Sequence, residues 1–411
     1  MENFLNSLKS ASYVASSLSS KTKCEVLKQM AIRLRKNRDY IINENKKDLQ
    51  LAKDNSLSLA LIDRLLLDEN RIETMAKAIE DISALKEPVG RVLEGWVVPS
   101  GIRIEKVSIP IGVIAIIFES RPNVTSDTAA LCFKSGNVSV LKGGKEAHFS
   151  NLAIAKTLQD VLISNNLPKE IITLVPDSSR EAMNKLIKMD KYIDLIIPRG
   201  GESLIRYISK NATIPVIKHD KGLCHTYIDK DANKEDAIKV SINAKCQRVG
   251  VCNAMETLLV HKEIASEVLK DLKVEFDKYK TTLRGCKETQ KIIDVSPATV
   301  EDFETEYLDN ILSIKIVNDL KEAIEHINRF GSNHSEAIIT QNYNTAEEFL
   351  NSVDAACVYL NASTRFTDGA EFGFGAEVGI STNKLHVRGP MGINDLTTYK
   401  FKIYGQGNVR E

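Results

Sequence analysis

The chain has 411 residues, of which 43% are hydrophobic and 27% charged, and 55 basic residues balance 55 acidic ones. A chain of this length is too long to fold around one hydrophobic core of ordinary size, so two domains are expected. Because basic and acidic residues balance, the chain has no net positive charge that would attract nucleic acid or an acidic membrane surface. No apolar run approaches membrane-spanning length. Seven scattered cysteines without CxxC pairs, and no secretory leader pattern, indicate a reducing, cytoplasmic protein.

Two helical stretches come first and predict a scaffold. Thr22 and Glu25 fit a capping box, and apolar residues follow at helical spacing. Asp68 is the expected cap of the second stretch, and the segment 87–90, Glu-Pro-Val-Gly, ends it.

The pattern changes to alternation at residue 97. A Pro-Ser-Gly turn at 99–101 between alternating residues predicts a hairpin, and the segment 396–404 also alternates. Two such segments at opposite ends of the chain suggest a shared β-arm of the kind that builds oligomers. An ordinary edge hairpin explains the first segment equally well.

Short apolar runs and helical stretches alternate between residues 110 and 217. This rhythm predicts βαβ units with a parallel sheet buried on both faces. The expected strands are Val113–Phe118, Val138–Leu141, Ile171–Val175, Ile193–Ile197 and Ile214–Ile217, and the expected helices are Ser126–Lys134, Ala147–Asn165, Arg180–Lys188 and Glu202–Ser209.

Three of these strand ends carry polar or glycine-rich segments, at 119–123, 142–146 and 198–203. Parallel sheets bind ligands at the carboxyl ends of their strands. The pair Gly200-Gly201 opens a helix, where free N–H groups and the helix dipole favour a phosphate. A tight turn explains the pair about as well, since neither the GxGxxG fingerprint nor a P-loop pattern accompanies it.

The same rhythm returns after residue 252 and predicts a second α/β domain. A glycine-rich stretch at 369–379, followed by 388–392, lacks a strand–helix context and is typical of an irregular functional loop. The expected strands are Leu258–Val260, Ile311–Val317, Ala337–Thr340 and Val358–Asn361, and the expected helices are Ile264–Lys278, Leu320–Arg329 and Thr345–Ser352.

Cys252 is the residue most suggestive of chemistry. It follows a Val-Gly-Val turn and precedes an acidic, helix-compatible turn and an apolar run. At such a junction backbone N–H groups can lower the pKa of a thiol and hold an oxyanion, although a buried structural cysteine is as good an interpretation of this segment alone.

The dispersed histidines predict no metal site, and no Gly-x-Ser-x-Gly elbow occurs. The residues favour thiol-based covalent catalysis on a carbonyl with a nucleotide cofactor.

Several long motifs occur in an order that resembles the aldehyde dehydrogenase superfamily, and within it the branch that reduces an acyl phosphate. The resemblance covers essentially the whole chain. The motifs are Ser-Arg-Pro-Asn at 120–123, Leu-Lys-Gly-Gly-Lys-Glu-Ala at 141–147, Val-Cys-Asn-Ala-Met-Glu-Thr-Leu-Leu-Val-His at 251–261, Phe-Gly-Ala-Glu-Val-Gly-Ile-Ser-Thr at 374–382 and Leu-His-Val-Arg-Gly-Pro-Met-Gly at 385–392.

The resemblance implies catalytic roles for two residues. Cys252 matches the nucleophile, and Asn123 matches the asparagine that stabilises the oxyanion together with the nucleophile's own N–H. Substrate contacts are assigned from position in the chain alone, and a surface role explains them equally well. These candidates are Arg121, Arg365, Asp368 and Glu371.

The cofactor site follows from the same resemblance. Lys142 matches a lysine on the adenosine ribose, and Gly200, Gly201 and Ser203 lie where the superfamily sets the pyrophosphate. Lys145 stands where NAD-preferring members often carry a Glu, so a cation there predicts NADPH.

Two other positions depart from the general superfamily pattern. His-Asp-Lys-Gly at 219–222 replaces a strand end whose Glu activates the deacylating water, which fits a thioester that exchanges with phosphate instead of water. Val249 replaces a common proline, with little expected effect.

The implied fold is α/β and aldehyde dehydrogenase-like, with two doubly wound parallel-sheet domains and a small β-arm. The expected boundaries are 1–96 and 110–225 for the nucleotide-binding domain, 226–385 for the catalytic domain, and 97–109 with 386–411 for the oligomerisation arm.

The implied activity is the NADPH-dependent reduction of L-glutamyl 5-phosphate to L-glutamate 5-semialdehyde in proline biosynthesis. The expected partners are a second copy of the chain, in a dimer or tetramer, and the glutamate 5-kinase that supplies the labile acyl phosphate. Two alternatives stay open: a dehydrogenase for another acyl phosphate or acyl thioester, and a nucleotide-binding relative that has lost catalysis.

Overall fold

The computed structural model of the protein describes residues 2–218 and 221–410. His219 and Asp220, which begin the segment without the deacylating Glu, therefore lie outside the described residues, as do the two terminal residues. The chain divides into two compact units. The first unit comprises residues 1–218, 373–379 and 391–411, and the second comprises 219–372 and 380–390.

Helices of the described chain are numbered in chain order. They are α1 Glu2–Ser17, α2 Ser20–Lys36, α3 Arg38–Asp54, α4 Leu59–Leu65, α5 Glu69–Ala84, α6 Asn123–Lys134, α7 His148–Ser164, α8 Arg180–Leu186, α9 Glu202–Asn211, α10 Lys234–Cys246, α11 Lys262–Lys278, α12 Lys287–Gln290, α13 Val300–Glu304, α14 Leu320–Phe330 and α15 Tyr343–Ser352. Short 3₁₀ turns occur at Lys145–Ala147, Lys169–Ile171, Thr364–Phe366 and Ile393–Leu396.

Strands are numbered in the same way. They are β1 Val92–Val97, β2 Arg103–Pro110, β3 Val113–Phe118, β4 Val138–Lys142, β5 Ile172–Leu174, β6 Leu195–Arg199, β7 Cys224–Ile228, β8 Met255–His261, β9 Thr282–Gly285, β10 Ser296–Pro297, β11 Ile311–Val317, β12 Ser335–Ile339, β13 Cys357–Leu360, β14 Gly379–Ser381, β15 Gly389–Met391 and β16 Thr397–Tyr404.

The first unit is built on a parallel sheet with the order β5-β4-β3-β6. All six side chains of β3, Val-Ile-Ala-Ile-Ile-Phe, are buried, as a strand covered on both faces requires. The order reverses between β3 and β6, because the chain runs outward from β3 through β4 to β5 and then returns to the other side. Such a reversal opens a crevice at the carboxyl ends of the strands, which is where parallel sheets bind ligands.

A separate antiparallel sheet of the first unit has the order β1-β2-β16. The predicted turn is present, since the Val98 N–H donates to Ile102 O at 3.0 Å. Because β16 pairs with β2, the predicted association of the two distant alternating segments is confirmed. Its apolar side chains stay exposed, with Val97 at 65%, Phe401 at 51% and Ile403 at 64%.

The second unit contains a parallel sheet which, over the described residues, has the order β10-β9-β11-β8-β7-β12-β13. Strand β8 is buried throughout, and α10 and α11 pack against it around a core that includes Leu258, Val268 and Phe276. Parallel α/β architecture is thus confirmed for both units.

Some local predictions are wrong. The cap of α2 is Ser19, whose hydroxyl accepts the Thr22 N–H at 3.1 Å, so the helix begins before the predicted box. Ile214–Ile217 makes only an isolated bridge between Ile196 and Val216. By contrast, Asp68 caps α5 as predicted.

The turn predicted after Cys252 is also wrong in part, because Met255 already begins β8. Strand β7, Cys224–Ile228, was not predicted at all. No helix in the described ranges is both long and apolar enough to cross a membrane.

Candidate active site

Cys252 lies in the turn between the end of α10 and the start of β8. The Ala254 N–H closes this turn on Val251 O at 3.0 Å. Cys252 is half-buried, and the buried residues Asn253 and Ala254 anchor the turn to the strand behind it. The thiol is therefore at the amino end of a buried strand, the opposite edge from the one where parallel sheets usually bind ligands.

The Cys252 turn is held by two residues of the preceding segment. The Cys224 thiol donates to Cys252 O at 3.2 Å and lies 3.7 Å from His334 Nδ1. The Gly222 backbone approaches so closely that a Cβ at Gly222 would lie 2.0 Å from Cys252 O and 2.5 Å from Cys252 Cα. Only a glycine allows such an approach.

Gly222→Ala is therefore expected to displace the Cys252 backbone. We expect kcat/KM to fall by at least about tenfold, the loss typical of a misplaced catalytic group. The measurement is kcat/KM together with the rate of Cys252 alkylation. Gly95→Ala, in the β1 strand, is the matched glycine change, since the nearest atom to a Cβ there is Ile104 O at an ordinary contact distance of 3.7 Å. A Gly222→Ala protein with normal activity and alkylation would show that the turn tolerates the shift.

Arg365 also holds the Cys252 turn through side-chain hydrogen bonds. Its Nε donates to Gln247 Oε1 at 2.8 Å, and its Nη1 donates to Asn253 Oδ1. Asn253 Nδ2 in turn donates to Thr367 O at 2.8 Å. Burial lowers the pKa of the Arg365 guanidinium, and Arg248 acts in the same direction. The structure thus brings Arg365, a predicted substrate residue, to the Cys252 turn.

The other predicted substrate residues are placed differently. Asp368 Oδ1 accepts the N–H of Ala370 at 2.9 Å and that of Glu371 at 3.4 Å, so Asp368 organises its own loop. The Glu371 side chain is exposed. Arg121 is exposed just before α6, and its carbonyl accepts the Val124 N–H at 3.1 Å.

Two carboxylates on strands of the second-unit sheet each form a buried pair with a basic side chain. Glu256 Oε2 accepts from Lys245 Nζ at 2.7 Å, and its Oε1 accepts the Leu308 N–H at 3.2 Å. Burial raises the pKa of Glu256 to about 7, against the opposing effect of Lys245. Glu336 Oε2 accepts from both the backbone N–H and Nδ1 of His225. Glu256 is thus held in the interior, although it lies in the 251–261 motif that contains Cys252.

Burial raises the pKa of four of the other thiols. It raises the pKa of Cys132 to about 12 and that of Cys224 well above its usual value. Burial also raises the pKa of Cys246 and Cys357. Because the thiolate is the nucleophile, these four cysteines are poorly suited to attack a carbonyl at neutral pH.

The predicted cofactor lysines lie at the carboxyl end of β4 in the first unit. Lys142 Nζ donates to Ser178 O at 2.7 Å and to Gly143 O at 3.2 Å, and burial lowers the pKa of its ammonium. The side chain of Lys145 is exposed in the following 3₁₀ turn. Within the described chain it makes no hydrogen bond or ion pair, so its charge is available to a ligand.

At the start of α9, the carboxylate of Glu119 accepts a hydrogen bond from the predicted anion site. Gly201 directly precedes the helix, and its N–H donates to Glu119 Oε2 at 3.0 Å. Gly200 is also close, since a Cβ there would lie 2.6 Å from Glu119 Cδ. Ser203 is exposed in the first turn. Glu119 follows β3 and Gly200 follows β6, so they flank the crevice where the strand order reverses.

Asn123 is the first residue of α6 and is exposed. Its Nδ2 donates to Asp127 Oδ2 at 2.9 Å, one helical turn later. Burial raises the pKa of Asp127 to about 6, while this hydrogen bond and the charge of Arg199 oppose the rise. Asp127 therefore orients the amide of Asn123. Asp127 was not among the predicted site residues, although its spacing of four from Asn123 places the two side chains on one helix face.

Comparison with known proteins agrees with this architecture. The family model described as "Aldehyde dehydrogenase family" matches residues 3–291 and 290–400. The chain is 70% identical to the gamma-glutamyl phosphate reductase of Sulfurimonas denitrificans and 63% identical to that of Nautilia profundicola, and each comparison covers 100% of both chains.

A solved structure is also similar over its full length. The crystal structure of gamma-glutamyl phosphate reductase from Thermotoga maritima superimposes with a TM-score of 0.98 at 44% identity, covering 100% of this chain and 99% of that one. An acetylating aldehyde dehydrogenase from Geobacillus thermoglucosidasius, at 18% identity and a TM-score of 0.71, shares the fold. The chain therefore belongs to the aldehyde dehydrogenase family, and its full-length relatives are named gamma-glutamyl phosphate reductase.

Proposed function

We propose that the protein reduces L-glutamyl 5-phosphate to L-glutamate 5-semialdehyde with NADPH, a step of proline biosynthesis. The observation that carries the proposal is the half-buried Cys252, held by Cys224, Gly222 and Arg365 in a chain whose full-length relatives bear the name of this activity. The structure supports a positioned thiol, and the relatives support the substrate.

The covalent step belongs to Cys252. Its thiolate attacks the γ-carbonyl carbon, and the Cys252 N–H would stabilise the oxyanion. The family resemblance proposes the Asn123 amide as the second donor. The carbon–oxygen bond to phosphate then breaks, which leaves a thioester and inorganic phosphate. When bound, a nicotinamide cofactor would supply the hydride for reduction of this thioester. Cys252 leaves as a thiolate when the semialdehyde is released.

The cofactor is a nicotinamide nucleotide, and the residues at the carboxyl edge of the first-unit sheet fit it chemically. The α9 N-terminus offers backbone donors for a pyrophosphate, and Lys142 and Lys145 offer cations. Glu119 now accepts the Gly201 N–H that such a phosphate would use. Phosphate binding at Gly201 thus requires the Glu119 side chain to turn away.

Lys145 is the proposed basis of NADPH preference. Opposite unit charges about 4 Å apart attract by about 4 kcal/mol at an effective dielectric near 20. Solvent should reduce this to about 1–2 kcal/mol, roughly ten- to thirtyfold in relative affinity. We expect Lys145→Ala to lower the ratio of kcat/KM for NADPH over NADH, and Lys145→Glu to lower it further. The same ratio in all three proteins would show that Lys145 does not contact the 2′-phosphate.

A steady-state assay separates this proposal from its alternatives. The protein should reduce NADP⁺ in the presence of glutamate 5-semialdehyde and phosphate. Coenzyme A with a simple aldehyde should not replace this pair, as it would for an acyl-thioester dehydrogenase. Binding of NADP⁺ without turnover of any of these substrates would favour a nucleotide-binding relative that has lost catalysis.

The β1-β2-β16 arm is proposed to form an interface with a second copy of the chain. Its exposed Val97, Phe401 and Ile403 would be covered in such an assembly. Analytical ultracentrifugation should then give a dimer or a larger oligomer, and a monomer at micromolar concentration would contradict the assignment. Because an acyl phosphate is labile, a glutamate 5-kinase is the partner to test by co-sedimentation in the same instrument.

A further inference from the structure

A lysine lies against a cysteine thiol in the helical layer of the first unit, and the proposed chemistry uses neither residue. Lys134, the last residue of α6, is only 1% exposed. Its Nζ donates to Cys24 Sγ of α2 at 2.9 Å and to Ser83 O of α5 at 3.0 Å. The Cys24 thiol donates to the same carbonyl oxygen at 3.1 Å. This places an amine and a thiol in direct contact.

The charge balance around Lys134 is unusual. The neighbouring Lys23 is also buried, but its Nζ lies 2.6 Å from a carboxylate oxygen of Glu87. Among residues 2–218 and 221–410, no carboxylate forms an ion pair with Lys134, so sulfur and a carbonyl oxygen are its partners. A cation beside sulfur is a setting that makes cysteines reactive towards oxidants.

We propose that Cys24 and Lys134 form a redox-sensitive modification site, in which peroxide joins the sulfur to the lysine nitrogen. First, Cys24 sulfur attacks hydrogen peroxide; the oxygen–oxygen bond breaks, and sulfenic acid and water form. The Lys134 ammonium then passes a proton to this water, which carries it out past the half-buried sulfur, and the lysine nitrogen attacks the sulfur. The sulfur–oxygen bond breaks and a second water leaves. The product is a sulfenamide, a nitrogen–sulfur bond of a kind that sulfenic acids form with backbone nitrogen.

The geometry favours this outcome over further oxidation or a disulfide. Cys24 is half-buried, so a small peroxide reaches it, whereas the Lys134 amine is held in place by Ser83 O. No thiol in the described chain forms a hydrogen bond with Cys24, so the nearest nucleophile for its sulfenic acid is the amine. The bond would tie α2 to α6, the helix that begins at Asn123, and would be reversible by thiols. The proposal is independent of the substrate assigned above.

The test is mass spectrometry of the full-length protein after brief hydrogen peroxide treatment and digestion. We expect a linked peptide pair containing Cys24 and Lys134, lighter by two hydrogen atoms than the separate peptides and resistant to trypsin after Lys134. Dithiothreitol should separate the pair. Cys286 is the matched control thiol: it is half-buried with Thr289 Oγ1 at 3.3 Å, and should give no lysine-linked peptide.

Lys134→Met removes the nitrogen while keeping an apolar side chain of similar length. In this variant Cys24 should proceed to sulfinic acid, with no linked pair. Because the loss of a buried lysine can also destabilise the fold, the wild-type result decides. Sulfinic acid at Cys24 without any linked pair in wild-type protein would overturn the proposal, as would a linked pair that dithiothreitol does not separate.

Discussion

Cys252→Ser should retain less than about a thousandth of the wild-type kcat, because a serine hydroxyl is a far poorer nucleophile than a thiolate at this site. The exchange of sulfur for oxygen leaves the turn's backbone contacts in place, since Cys224 bonds to the carbonyl of Cys252 and Gly222 packs against its backbone. The measurement is single-turnover reduction with saturating substrates, alongside thermal unfolding. An unchanged unfolding temperature would show that the loss is chemical.

The control is a set of cysteines outside the turn. Cys132 is fully buried in α6, Cys286 precedes α12, and Cys24 lies in α2. Each should tolerate replacement by alanine with activity retained, provided that the protein folds. If the Cys252→Ser protein keeps more than about a thousandth of the activity, the thioester assignment is wrong.

Asn123→Ala should lower kcat by about 10²–10³ with a modest change in KM, the effect typical of losing one preorganised oxyanion donor. Asp127 accepts one of the amide N–H groups at 2.9 Å, which restrains the Asn123 side chain at the start of α6. The measurement is kcat and KM separately, under conditions where the hydride step limits the rate.

Asn123→Asp is the matched variant, because it keeps the shape and removes the donor. It should be at least as impaired as Asn123→Ala, since a carboxylate would repel both the oxyanion and Asp127. A rise in KM with unchanged kcat in either variant would assign Asn123 to ground-state binding instead.

Local patterns predicted most of the sheet, and β7 shows why they missed part of it. Cys-His-Thr-Tyr-Ile at 224–228 looks too polar for a central strand, yet every side chain in it is buried. His225 is stabilised there by Glu336, which is 111 residues away, and Tyr227 donates to Asp229. Because the first partner comes from another strand, no local window contains it.

The same distinction applies to the candidate site. The sequence predicted a thiol in a turn, because glycine and the apolar run are local signals. The contacts that fix this thiol come from residues 28 and 112 positions away, namely Cys224 to Cys252 and Arg365 to Asn253. Glu119 was missed for the same reason, since it meets Gly201 across 82 residues.

The most direct test of the covalent account is a burst experiment without phosphate. The protein is mixed with glutamate 5-semialdehyde and NADP⁺, and both NADPH and the mass of the Cys252 peptide are followed. Because Glu256 is buried with both oxygens occupied, and the 219–222 segment lacks the family's water-activating Glu, the acyl-enzyme should hydrolyse slowly. We expect NADPH stoichiometric with protein, a glutamyl group on Cys252, and steady turnover only after phosphate is added. Continuous turnover without phosphate, or acylation at another residue, would contradict the account.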